Sequence, residues 1–110
     1  MKGITKEIIN YIKTIKEGEL KNWYAGVTNN LARRKEEHER EKNILCKHLK
    51  GWRCQTEKEA REIEQELKLQ GISIYEEDLK IIAKKQEPST IVYVFLAVKK
   101  SQHFIRLLKK

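Results

Sequence analysis

The sequence predicts an α+β domain: a small, mostly antiparallel three-stranded sheet flanked by helices, with an N-terminal helix and a C-terminal strand that completes the sheet. Three observations carry this. Isoleucines recur at helical spacing near the start, a capping signal opens an acid-rich helix in the middle, and residues 90–98 form an unbroken β-branched and aromatic run. At 110 residues the chain fits one domain over 1–110, divided into an N-terminal helix 4–17, a core 22–98 and a basic tail 99–110.

In order, Ile4, Ile8, Ile12 and Ile15 define one apolar stripe, with Thr5 as a candidate cap and Gly18 as a stop. Residues 22–27 read as a short strand. Thr28, Asn29 and Asn30 then offer N-caps for a helix running to about residue 42. Residues 50–55 read as a second short strand. Thr56 and Glu59 form a capping box for a helix that should reach Gln70 and stop at Gly71. A further helix is expected over 75–86, ended by Pro88. The closing strand, 90–98, is apolar on both faces and therefore central, and it should pair directly with the strand at 22–27.

Lys and Arg number 24 against 16 Asp and Glu, a formal charge of +8. On so small a body this excess concentrates polyanions, and nucleic acid is the usual one. A basic protein kept in solution by its charges is the plainer alternative. The tail 99–110 carries Lys99, Lys100, Arg106, Lys109 and Lys110 without an acid, interleaved with Phe104, Ile105, Leu107 and Leu108. It reads as a short amphipathic helix that could track phosphates, lie on an anionic membrane or dock its apolar side on the domain with its charges outward, the last being the preferred reading. No run approaches the roughly 20 apolar residues of a membrane span. Without a secretion signal, and with only two cysteines, the expectation is an intracellular protein with no membrane partner.

The chemistry concentrates in Tyr24-Ala-Gly-Val-Thr-Asn-Asn-Leu-Ala-Arg-Arg-Lys-Glu-Glu-His38. At about 100° per residue, Leu31, Arg34 and His38 fall within roughly 60° of one another, so an Arg and a His flank the buried face. A guanidinium there suits phosphate, because its planar fork donates two parallel hydrogen bonds and keeps its charge. A solvated helix crowded with Arg33, Lys35, Glu36 and Glu37 is the simpler account of the same residues. On the helix 57–70, Ala60, Ile63 and Leu67 form the buried stripe. Glu64 lies about 60° from its centre, while Glu62 and Glu66 point outside it.

The segment 24–38 resembles the second half of the GIY-YIG nuclease signature. The resemblance matches Tyr24 to the Tyr and Gly26 to the Gly of its YIG strand, with Thr28 following. Arg34 matches the helix Arg that contacts the scissile phosphate, and His38 the signature's His. Ala25 stands where Ile is usual, and Lys35 where an apolar residue is frequent. Ala60 and Glu64 reproduce the spacing of the family's single metal-binding Glu, which implies Mg²⁺ or Mn²⁺. No Gly-Ile-Tyr precedes Tyr24. Tyr11 sits in a helical pattern, so Tyr93 in Ile91-Val-Tyr-Val-Phe-Leu96 is the better counterpart, as in a circularly permuted or variant subgroup.

This resemblance implies a metal-dependent endonuclease acting on DNA, or secondarily on RNA. Tyr24, Arg34, Glu64 and Tyr93 would be catalytic, Glu64 the metal ligand, and Arg33, Arg34, His38, Lys99 and Lys100 the nucleic-acid contacts. A silent nucleic-acid-binding module of the same fold is the alternative, and a protein-interaction domain is a third reading. Cys46, His48 and Cys54, near His38, hold enough ligand types for zinc but match no common spacing. Trp23, Trp52 and Tyr75 could stack on unpaired bases, although packing in the core is the commoner use of such residues.

Overall fold

A computed structural model describes residues 1–75 and 87–100. Helix α1 spans Gly3–Ile15, strand β1 Trp23–Thr28, helix α2 Leu31–Glu41 and strand β2 Ile44–Arg53. Helix α3 spans Glu57–Leu69, and strands β3 and β4 span Ser73–Ile74 and Ile91–Lys99. The strands form one sheet in the order β2-β4-β1-β3. Strand β4 pairs antiparallel with both β1 and β2, while β3 adds to β1 in parallel. The expected α+β class and the β1–β4 pairing are present. The sheet is four-stranded and mixed rather than three-stranded, because Gly71 turns the chain back alongside β1.

Alternation sorts the sheet into two faces. Trp23, Ala25 and Val27 of β1 and Val92, Val94 and Leu96 of β4 point to the side packed by Ile8 and Ile12 of α1 and by Ala60, Ile63 and Leu67 of α3. Tyr93 and Phe95 of β4 point the other way, to a smaller cluster with Ile44, Cys46, Tyr24, Leu31 and Tyr75. The central position foreseen for the closing strand follows from its burial on both faces.

Local chemistry sets the element ends. Asn30 caps α2 by accepting from the Arg33 amide at 3.0 Å. Thr56 caps α3 by accepting from the Glu59 amide at 3.1 Å. The reciprocal half of the expected capping box is displaced by one residue, since the Glu59 carboxylate accepts from the Gln55 amide instead. Gly71 has φ 103°, a conformation open to glycine and costly for other residues. Thr5 does not cap α1. It lies within that helix, fully buried, and its hydroxyl donates to Glu66 of α3.

Strand β2 is longer than the 50–55 segment that its sequence suggests. Between Lys47 and Lys50 it carries a bulge, with His48 at φ 57°. The extra residue shifts the alternation, so one strand reads as two unrelated halves. The helix expected over 75–86 and the amphipathic tail beyond Lys100 lie outside the described residues. Among the described residues no helix is long and apolar enough to cross a membrane.

Candidate nucleic-acid site

Strand β1 and the start of α2 lay out the first half of the site. Gly26 stands opposite Tyr93 in the β1–β4 ladder, and Tyr24 stands opposite Phe95. A Cβ on Gly26 would lie 2.4 Å from the Tyr93 hydroxyl and 2.5 Å from its Cζ. Only glycine therefore lets the Tyr93 ring lie across β1. Tyr24 and Tyr93 are diagonal neighbours on one face, a separation of about 7–8 Å between their backbones.

Thr28, 4% exposed, closes the β1 end. Its hydroxyl accepts from the Asn30 amide at 3.1 Å, which fixes the turn into α2. From that helix His38 reaches down, 1% exposed, and its Nε2 lies 2.7 Å from the Tyr93 hydroxyl. The His38 ring sits among Tyr75, Tyr93 and Phe95, with ring centroids 5.1–5.9 Å away. Burial first, then the nearby charges of Arg34 and Lys42, lower its pKa to about 4. The imidazole is therefore neutral at pH 7. Its Nδ1 has no hydrogen-bond partner among the described residues.

Arg34 lies one helical turn before His38. Its guanidinium bonds Glu37 at 3.1 Å and its side chain is 12% exposed. Arg33, exposed, donates to Asn29 at 2.7 Å. Tyr24 is half-buried and carries Tyr75 stacked on its ring at 4.4 Å, with Phe95 at 5.9 Å on the same sheet face. Lys42 lies 4.8 Å from the Tyr75 ring. Tyr75 and Phe95 are parts of this cluster that the motif reading did not assign. Phe95 could have been found from its place two residues after Tyr93, on the same side of an apolar strand.

The remaining predicted residues lie elsewhere. Lys99 projects on the same sheet face as Tyr93 but six residues along β4, roughly 20 Å away. Lys100 lines an open groove of about 610 Å³ along α2 with Ala32, Lys35, Glu36, Glu39 and Arg40, a lining of mixed charge. Glu64 belongs to α3, the helix that packs the opposite face. Its carboxylate is inside the protein, at 1% exposure, with Arg61 Nη1 3.6 Å from Oε1. It is the only acid of α3 buried to that degree. Glu62 is exposed, and Glu66 accepts from Thr5 and from the Lys2 amide. The structure thus groups Tyr24, Gly26, Arg34, His38 and Tyr93 around one face and roots Glu64 in the other.

The zinc constellation is dispersed. Cys46 belongs to the α2-side cluster and Cys54 to the α1–α3 core. His48 bonds Glu17 at 3.2 Å. Among the described residues no three His, Cys, Asp or Glu side chains converge. Burial, reinforced by the Glu39 charge, pushes the Cys46 thiol up to about 12, so it packs as an apolar group. Trp23 is fully buried and unavailable for stacking on bases, whereas Trp52 is half-buried at the sheet margin.

No protein-family model, curated protein or solved structure matches the chain.

Proposed function

We propose that this domain is a nucleic-acid phosphodiesterase of the GIY-YIG type, acting on DNA ahead of RNA. One observation carries the reading. Strand β4 pairs with β1 in the register that sets Tyr93 over Gly26 and beside Tyr24, with the Arg34–His38 turn of α2 against them. In this reading, β4 stands in for the tyrosine strand that the resemblance lacks before Tyr24.

In this reading Arg34 exchanges its bond to Glu37 for a phosphate, a charge-assisted contact that strengthens as charge develops on the phosphoryl oxygens. Arg33, Lys99 and Lys100 hold flanking phosphates. The half-buried Tyr24 hydroxyl directs the attacking water. His38, which protonates only near pH 4, is far too weak a base to take a phenolic proton. Its part is to hold the Tyr93 hydroxyl in one direction.

The resemblance also implies a cation, Mg²⁺ or Mn²⁺. Glu64 provides the hard oxygen such an ion takes. However, a hydrated Mg²⁺ does not fit at a carboxylate 1% exposed with an arginine 3.6 Å away, so no step is routed through it. The same burial favours the second reading, a module that binds nucleic acid without cutting it.

Single-turnover cleavage of a labelled duplex, with Mg²⁺ or Mn²⁺, separates the two. The expectation is cleavage that Arg34→Ala impairs in both turnover and affinity and that Glu62→Gln leaves intact, with Glu64→Gln testing whether that buried carboxylate takes part at all. Equal cleavage by Glu64→Gln removes Glu64 from the site. Salt-sensitive binding with no cleavage under either metal selects the silent module. An absence of binding even at low salt overturns both.

A further inference from the structure

The margin of the sheet away from Arg34 offers a second nucleic-acid surface, and its chemistry points to an unpaired strand. Strand β2 is an edge strand. It carries Lys47, Lys50 and Arg53, all exposed, and no acid. The bulge decides which of these stand together. Lys47 lies opposite Leu96, Lys50 opposite Val94 and Trp52 opposite Val92, all on the α1–α3 side. Without the extra residue, strict alternation would place Lys47 and Lys50 on opposite faces. With it, Lys47, Lys50 and Trp52 share one face, Lys50 and Trp52 about 7 Å apart, and His48 joins them with its ring stacked 6.1 Å from Trp23.

Tyr11 of α1 forms the inner wall. Its ring meets Trp52 edge-on at 5.5 Å, and its hydroxyl donates to the His48 carbonyl at 2.8 Å, which ties the wall to the bulge. The Lys50 ammonium lies 5.0 Å from the Tyr11 ring and 5.1 Å from the Trp52 ring. Among the described residues, Glu17 is the acid in contact with this strip. Its two carboxylate oxygens engage Lys47 at 2.7 Å and His48 at 3.2 Å, leaving the Lys50 end positive.

We propose that the Lys47–Lys50–Trp52–Tyr11 strip binds a single nucleic-acid strand, one base stacking on Trp52 while Lys50 turns outward to a phosphate. Cations interleaved with a half-buried aromatic ring form the usual surface for unpaired strands, since every base has a face to stack and every linkage a charge. This inference rests on the nucleic-acid reading above and adds a substrate class to it: duplexes with a frayed, branched or single-stranded segment.

The test is titration of the whole chain with a thymidine 15-mer, with the matching duplex and with poly-glutamate, followed by tryptophan fluorescence. The 15-mer should quench Trp52, and Trp52→Leu should weaken its binding about tenfold or more while duplex affinity stays unchanged. Trp52→Phe should restore most of the affinity, which separates loss of stacking from loss of packing. Lys50→Gln should weaken binding and reduce its salt dependence. Equal 15-mer affinity for Trp52→Leu and wild type overturns the proposal, as does poly-glutamate binding that Trp52→Leu and Lys50→Gln weaken as much as they weaken 15-mer binding. Duplex binding without 15-mer binding refutes the strip alone. Binding of neither refutes the nucleic-acid reading with it.

Discussion

The two faces of the sheet are built from different materials. The α1–α3 side is aliphatic at its centre: Ile8, Ile63, Leu67, Val92 and Val94 are fully buried, Trp23 spends its indole N–H on the Glu17 carbonyl at 2.9 Å, and Tyr11 and Trp52 lie half-buried at the margin. The α2 side is aromatic and polar. It buries a histidine and a tyrosine hydroxyl against each other and keeps an arginine at its rim. Burying such groups costs free energy that aliphatic packing does not, a cost that the first side carries as well at Thr5 and Glu64. We therefore assign stability chiefly to the aliphatic centre of the first side and the proposed phosphate chemistry to the second, with the proposed single-strand strip at the first side's margin.

If so, damage to the first face should unfold the protein without a specific effect on binding. Ile63→Ala removes a fully buried side chain from α3 and is expected to cost about 2–5 kcal/mol, measured as a fall in the urea midpoint. Nucleic-acid affinity of the remaining folded fraction should match wild type. A selective loss of affinity would break the division.

Gly26→Ala attacks the second face by overpacking. The new methyl group meets the Tyr93 ring, and about 1–3 kcal/mol of stability should be lost together with turnover. A variant as stable and active as wild type would show that Tyr93 can move aside, and that its position over Gly26 is unimportant.

The pH dependence follows from His38. Its folded pKa of about 4 lies below the ordinary value of 6.5, so the unfolded chain takes up this proton first as the pH falls. The contribution is complete above about pH 6.5, declines as the pH falls, and is lost by about pH 4. Between pH 7 and 5, wild type should lose about 2 kcal/mol more than His38→Phe, by urea denaturation at each pH. Parallel losses in the two proteins would place the imidazole in water.

Tyr24→Phe should change least in stability, within about 0.5 kcal/mol, because the half-buried ring and its stack on Tyr75 remain. Turnover should still fall if Tyr24 directs the attacking water. A normal rate would assign that part to another group.

Much of the fold was readable because its signals are local. The isoleucine stripe gives α1, Asn30 and Thr56 cap their helices as expected, and the β-branched run gives β4 and its pairing with β1. Three features were not readable. The His48 bulge hides β2 by breaking its alternation. Strand β3, two residues long, has no pattern and exists through its pairing with Tyr24 and Ala25. The depth of Glu64 follows from how closely α3 seats on the sheet, which a helical wheel does not report. At the site, Tyr24, Arg34 and His38 were legible from one helix and one strand. The meeting of Tyr93 with His38 depends on a contact 55 residues apart in the chain.

The division of labour is tested most directly by following backbone amide chemical shifts while a short DNA duplex is added. Perturbations should concentrate in Tyr24–Thr28, at Arg33 and Arg34 in the first turn of α2 and at Lys99 and Lys100, with Ile8, Ile63 and Leu67 unmoved. Shifts centred on α1 and α3, or none at low salt, would contradict it.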